Sequence, residues 1–327
     1  MVSLDDIRTA QHLLHGIAIR TPLFEWTCPA DQRRLFLKLE NLQPIGAFKL
    51  RGAYNKVASL SHEERRRGVI SYSSGNHAQG VAYAARALGV RAIIVMPVNA
   101  PKNKVEATAA LGAEIVTVGP GSEERRLRAE ELAAEHGYVI VPPYNDEKII
   151  AGQGTVGLEI LDDLPNVETV LVPVGGGGLI SGVAAAIKLS SRLSNPGANP
   201  RVKVIGVEPE LAADARASFR AGHIVSFPAD QVSRTLADGL RTQSIGTINF
   251  EHIHAYVDDI IAVTEIEIHE ATRLLSANTK TLAEPSGAVA PAAFLFHGDE
   301  LPNTKINVAV ISGGNIDPAL AADFRRV

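Results

Sequence analysis

Short apolar runs alternate with longer alanine-rich periodic segments, and that rhythm leaves the chain few folds to choose from. Gly68 to Ser71, Arg91 to Met96 and Glu114 to Val118 are brief and apolar, while His77 to Leu88 and Lys102 to Leu111 carry apolar residues at helical spacing. Strands separated by helices in this way form a parallel sheet. A further helix, Ser122 to Glu135, and a short strand, Tyr138 to Val141, extend the series. After a break the rhythm returns with Thr169 to Pro173, Leu179 to Leu189, Val202 to Val207 and Lys305 to Ile311. The expected fold is α/β, with two doubly wound open sheets. The smaller unit, residues 50–143, is inserted in a larger one formed by residues 1–49 and 144–327. Ser3 and Asp6 make a capping-box variant ahead of Leu4, Ile7, Leu14 and Ile17, and Thr21-Pro22 is the expected stop of that first helix.

A chain of 327 residues exceeds one typical domain, which suits two units sharing a cleft. Hydrophobic residues at 46% and charged residues at 21% exclude a disordered chain. The net charge of -4 and the absence of any basic run longer than Arg65-Arg66-Arg67 give nucleic acid and membrane surfaces no electrostatic purchase, so the expected partner is a small molecule. Apolar stretches such as Val170 to Val174 are too short to span a bilayer. The single cysteine, Cys28, suits a reducing compartment. No basic region leads into an apolar run at the N-terminus, so the expected location is the cytoplasm.

Ligands of open α/β sheets sit beyond the carboxyl ends of the strands, and three loops there are unusual. Ser71-Tyr72-Ser73-Ser74-Gly75-Asn76-His77 offers hydroxyls, an amide and an imidazole beside the free N–H groups of a helix start, an anion site with acid–base groups attached. A capping turn is the competing reading of Ser-Gly-Asn. Gly175-Gly176-Gly177-Gly178 costs backbone entropy that a simple turn does not require, and bare N–H groups closing round a phosphate give it a reason. Ile180 and Ser181 break the G-x-G-x-x-G dinucleotide pattern. Ser312-Gly313-Gly314-Asn315 places a hydroxyl at a third strand end. Lys49 lies in Gly46-Ala47-Phe48-Lys49-Leu50-Arg51-Gly52, and a lysine desolvated among apolar neighbours can lose its proton and attack a carbonyl.

Lys38-Leu39-Glu40-Asn41, Gly46 to Ala53, Ser73 to His77 and Gly175 to Gly178 together resemble the serine/threonine dehydratase and serine racemase family of fold-type II pyridoxal-phosphate enzymes, which are tryptophan synthase β-like. Further matches follow in the family's order: Ala151 to Thr155, Gly206-Val207-Glu208-Pro209, Ala237-Asp238-Gly239, Glu284-Pro285-Ser286-Gly287 and Ser312 to Asn315. By that resemblance Lys49 would carry pyridoxal phosphate as a Schiff base, Gly175, Gly176, Gly177 and Gly178 would hold its phosphate, and Asn76 would bond the ring hydroxyl. Phe48 would pack on the ring and Ser312 would face its nitrogen, a neutral hydroxyl that favours elimination.

The resemblance implies an ammonia-lyase that takes the α-proton of L-threonine or L-serine with Lys49 and expels the β-hydroxyl, giving a 2-oxo acid and ammonia. Ser74 would serve the opposite face, where reprotonation gives the other enantiomer, and Ser73, Asn76 and His77 would hold the substrate carboxylate. Serine racemase and threo-3-hydroxyaspartate dehydratase are the enzyme alternatives, and a non-catalytic cofactor-binding paralogue is the alternative from another class. Glu208, the Ala212 carbonyl and Asp214 match the family's divalent-cation site, suited to Mg²⁺, Ca²⁺ or Mn²⁺. Arg125 aligns with an arginine that meets a second carboxylate in some relatives, with a solvated helix arginine as the competing reading. Ala47 and Pro44-Ile45 depart from the family pattern, so ATP activation is not carried over. A homodimer is expected, without a regulatory domain after Ser312.

Overall fold

The computed structural model describes residues 1–27, 33–73, 75–119, 121–194, 201–279 and 281–325; Cys28 and Ser74 lie outside the described residues. Ten strands run among them: β1 Leu23–Trp26, β2 Arg34–Leu39, β3 Val69–Tyr72, β4 Ala92–Pro97, β5 Glu114–Val118, β6 Val139–Ile140, β7 Thr169–Pro173, β8 Lys203–Pro209, β9 Asp259–Val263 and β10 Ile306–Ile311. They form a six-stranded sheet of order β1-β2-β10-β7-β8-β9 and a four-stranded sheet of order β5-β4-β3-β6. β1 is antiparallel to β2, and the other pairs are parallel.

Alternate residues of each strand feed opposite faces, and both faces of the central strands β4, β7, β8 and β10 are covered, which is why these read as nearly unbroken apolar runs, while the edge strands β1 and β5 stay partly exposed. In the larger sheet Val170, Val172, Val308 and Val310 pack with Ile150, Val156, Ile180 and Val183 of the helices Glu147–Asp163 and Gly178–Ser194. Leu171, Ala309 and Ile311 face the other way, onto Ile268 and Leu275 of Glu265–Asn278 and Ala288 and Ala292 of Pro285–Phe296. In the smaller sheet Val69, Ile94 and Met96 meet the helices Lys49–Ala58 and Asn76–Leu88, while Ile70, Ile93 and Val95 meet Ala129 and Leu132 of Ser122–His136. Each fully buried Val, Leu or Ile contributes roughly 1.5–3 kcal/mol, so these two-sided sheets supply most of the driving force.

The first helix is shorter than the sequence suggests. It starts at the expected Ser3 capping box but spans Leu4–Leu14, because Gly16 adopts φ 75° and Ile17 and Ala18 both close on the Leu14 carbonyl. Gln43 then clamps the released backbone through Ile19 N–H at 3.0 Å and Ile19 C=O at 2.8 Å.

A buried quartet of charges joins β2 to two helices. Arg51 bonds Glu40 at 2.7 and 2.8 Å and Glu159 at 2.7 and 2.9 Å, and Lys38 bonds Glu159 at 2.6 Å and the Thr21 carbonyl at 2.7 Å. Two cations and two anions balance, and removing one would leave an unpaired charge in the core. Arg51 lies two residues beyond Lys49 on the same helix, so the quartet also fixes the start of that helix.

Candidate active site

β7 and β10 are neighbours, so the loops at their carboxyl ends, Gly175–Gly178 and Ser312, emerge side by side. β3 of the smaller sheet delivers Ser73, Asn76 and His77 to the same cleft, of about 750 Å³, which is also lined by Phe48, Lys49 and Arg125. The structure therefore gathers the described residues expected to bind cofactor and substrate around one space.

Lys49 opens the helix Lys49–Ala58, and its segment is stitched to the β10 exit by a bridge from Ala47 to Gly313 and by the Phe48 N–H on the Ser312 carbonyl at 3.1 Å. Its Nζ donates to the Pro143 carbonyl at 2.8 Å and lies 5.2 Å from the centre of the Phe48 ring. The side chain remains partly accessible from the cleft, yet the surrounding protein strips enough water from the ammonium to bring its pKa down to about 8.

The glycine loop needs its glycines. Gly177 has φ 92°, a region that L side chains rarely adopt, and a Cβ there would also lie 2.9 Å from Asn249 Cβ. A Cβ on Gly176 would fall within the Tyr144 ring. Gly178 begins the helix Gly178–Ser194, whose first N–H groups have no intrahelical partner and favour an anion.

The helix Asn76–Leu88 starts behind Gly75 with no side-chain cap, leaving its first N–H groups for a ligand. His77 Nε2 lies 3.0 Å from the Val141 carbonyl, which can only accept, so the proton sits on Nε2 and the buried Nδ1 remains an acceptor without a partner. Burial and the nearby Lys49 hold the pKa of His77 at about 3, so the imidazole is neutral at ordinary pH. Asn76 Nδ2 donates to Glu284 at 2.6 Å, and its Oδ1 accepts from Asn315 at 2.8 Å. Ser312 Oγ donates to the Ser286 carbonyl at 3.3 Å. Arg125 is half-buried on the cleft wall, where burial lowers its pKa.

Several cleft residues had no role assigned from sequence. Tyr144 packs against the glycine loop, and burial pushes its hydroxyl up to about 12. Lys104, from the helix Lys102–Ala110, forms an ion pair with Asp238 on the opposite wall. Glu284 sits beneath Asn76. Asp238 and Glu284 belong to matched motifs, but their contacts cross the chain and cannot be read from local spacing.

Glu208 is the penultimate residue of β8, with Ala212 in the short turn Glu210–Ala212 and Asp214 opening the helix Asp214–Ala221. The Glu208 carboxylate accepts from the N–H groups of Ala215 at 3.0 Å and Arg216 at 2.7 Å. Both Asp214 oxygens are buried without a close hydrogen bond, and burial raises that carboxyl to about 7 against the opposing pull of the Asp214 and Ile245 backbone N–H groups. Among the described residues no group of three or more His, Cys, Asp or Glu gathers as a metal cluster, so a cation here would need the Ala212 carbonyl or water as well. No described helix is long and apolar enough to cross a membrane.

Residues 15–313 match the family model for pyridoxal-phosphate dependent enzymes. The chain is 47% identical to the L-threonine ammonia-lyase of Thermotoga maritima over 97% of its own length and 76% of that protein's. It is 41% identical to the catabolic L-threonine dehydratase of Escherichia coli, over 97% and 94%. Among solved structures, the threonine deaminase of T.th. superposes with a TM-score of 0.89 at 43% identity, covering 96% of this chain and 99% of that one. Maize serine racemase gives 0.90 at 36% identity, covering 98% and 96%. The parallel sheets, the cleft between their strand ends and these likenesses lead to one conclusion: the chain belongs to the pyridoxal-phosphate-dependent enzymes, in the fold-type II group that holds the threonine dehydratases and serine racemases.

Proposed function

We propose that this protein converts L-threonine or L-serine, or both, to a 2-oxo acid and ammonia, with Lys49 carrying the cofactor and moving the α-proton. The observation that carries this reading is the Lys49 amine, brought to a pKa of about 8 inside the cleft shared by the glycine loop and Ser312. The residues fit pyridoxal phosphate: a desolvated lysine, a φ-positive glycine loop at a helix start and a strand-end hydroxyl lie around one space.

When bound, the cofactor supplies an electron-withdrawing ring that acidifies the α-carbon of an amino acid. Gly175 to Gly178 and the first turn of Gly178–Ser194 would hold its phosphate, Phe48 would cover the ring, Asn76 would meet the ring hydroxyl, and Ser312 would face the ring nitrogen as a neutral group. Ser73, Asn76 and the neutral His77 would orient the substrate carboxylate at the start of Asn76–Leu88. With its lowered pKa, Lys49 has an appreciable free-amine fraction near neutrality and accepts the Cα proton. Loss of the β-hydroxyl as water and later uptake of one water leave ammonia as the only net loss.

Racemisation through Ser74 is a second reading, supported by the likeness to serine racemases. Arg125 on the cleft wall would favour a dicarboxylate such as threo-3-hydroxyaspartate. Unchanged activity on that substrate in Arg125→Ala would sink the dicarboxylate reading. The buried Asp214 carboxylate, without a close hydrogen bond and beside Glu208, supports a divalent cation. A homodimer in the cytoplasm completes the proposal. Borohydride reduction of the loaded protein followed by peptide mapping tests the lysine assignment: the cofactor mass should appear on Lys49, and its appearance on another lysine would overturn the assignment.

A further inference from the structure

Glu284 occupies the N-cap position of the helix Pro285–Phe296, and its side chain makes no capping hydrogen bond. Instead Oε1 accepts from Asn76 Nδ2 at 2.6 Å, although the two residues lie 208 positions apart. The carboxyl is buried, at 2% exposure, and Oε2 makes no close hydrogen bond, although the Asn315 backbone N–H also acts on the carboxyl. Asp238 and Lys104 are the charged groups that act on it, and burial with the Asp238 charge raises its pKa to about 7. Burying a carboxyl with only one oxygen held by a close hydrogen bond is costly, which points to a role beyond packing.

The neighbouring bonds form a directed chain. The Ile45 carbonyl can only accept, so the Asn315 amide must present Nδ2 to it, at 2.8 Å. The same Nδ2 donates to Asn76 Oδ1 at 2.8 Å. Asn76 is thereby left with Nδ2 toward Glu284, and one of its two hydrogens is spent there. Gly313 makes room for the arrangement, since a Cβ on it would meet Glu284 Oε1 and lie 3.0 Å from Asn76 Nδ2. Asn76 and Glu284 both line the cleft.

We propose that Glu284 is a positioning residue that, with Asn315, locks the Asn76 amide so that its second N–H faces the ring hydroxyl of the cofactor. The inference rests on the reading of Asn76 given under the proposed function. Glu284 acts through Asn76, so the two residues contribute one effect between them.

The test titrates full-length, cofactor-stripped variants with pyridoxal phosphate, following the visible absorption of the bound cofactor and its Kd. Glu284→Ala and Asn76→Ala should each shift the band and weaken binding roughly tenfold, the size of one lost hydrogen bond. The double variant should bind no worse than Asn76→Ala alone. Glu284→Gln, whose amide oxygen can still accept from Asn76, should restore most of the affinity and guards against a folding defect in the alanine variant. A silent Glu284→Ala, a silent Asn76→Ala, or single effects that multiply to roughly a hundredfold would each overturn the positioning role. Lys49→Ala separates this from the underlying reading: it should abolish the visible band of bound cofactor, and its persistence would bring down the lysine assignment itself.

Discussion

The Nζ of Lys49 donates to the Pro143 carbonyl across 2.8 Å, tying the start of the helix Lys49–Ala58 to the turn that precedes Glu147–Asp163. The bond holds the amine in the cleft while its surroundings favour the neutral form, with a pKa of about 8 against the ordinary 10.5. Between those two values the unfolded chain keeps a proton that the folded protein has released, so stability of the cofactor-free protein rises with pH across that window. Lys49→Met, which has no charge to bury, should melt higher than wild type below pH 8, by roughly 2 °C or more, and the gap should narrow as pH climbs toward 10.5. A gap that stays constant with pH would contradict the lowered pKa.

Gly177→Ala places a side chain at φ 92° and 2.9 Å from Asn249 Cβ. The strain should cost about 1–3 kcal/mol in thermal or urea unfolding and weaken pyridoxal phosphate binding. Gly112 also has a positive φ, but open space surrounds its Cβ position and it lies outside the cleft. Gly112→Ala should therefore lose stability with unchanged cofactor affinity, and equal losses of affinity in both variants would contradict a phosphate role for the loop.

Asp214 presents two buried oxygens without a close hydrogen bond. Mg²⁺ or Ca²⁺ should raise the melting temperature, with stabilisation of about 2.7 kcal/mol at one hundred times the Kd, and Asp214→Asn should abolish that dependence. An equal response of variant and wild type to the cation would contradict the site.

Lys38→Met removes one member of the buried quartet, leaving Glu159 short of a cation, and should cost about 3 kcal/mol in urea unfolding. Arg20 pairs with Asp163 at the surface, where water and salt screen the pair, so Arg20→Ala should cost less than about 1 kcal/mol. Comparable losses would contradict the assignment of the quartet as a core element.

The strands were the legible part of this fold. Thr169–Pro173 occurs with the bounds its apolar run suggests and Ala92–Pro97 is displaced by one residue, because two-sided burial writes a strand as a continuous apolar run; Glu114–Val118, at a sheet edge, keeps its bounds although none of its residues is fully buried. The helix Glu147–Asp163 escaped the periodicity, since Gly152, Gly154 and Gly157 are poor helix formers. Packing explains them: a Cβ on Gly152 would lie 2.6 Å from the Arg51 carbonyl oxygen, and one on Gly157 would lie 2.8 Å from that of Val183. Pro285–Phe296 is apolar all round and contains Pro291, so no 3.6-residue stripe marks it. At the site, Lys49, the glycine loop and the Ser73 to His77 segment were marked by their own unusual composition. Glu284 and Tyr144 were not, because their contacts join distant segments that only the folded chain brings together.

The most direct test of the central claim is product analysis of the cofactor-loaded protein with L-threonine and L-serine, by chiral chromatography with parallel ammonia and 2-oxo acid determination. The account predicts a 2-oxo acid and ammonia in equal amounts, lost in Lys49→Ala. Protein that binds pyridoxal phosphate yet leaves both amino acids untouched, or yields only the D-enantiomer, would contradict it.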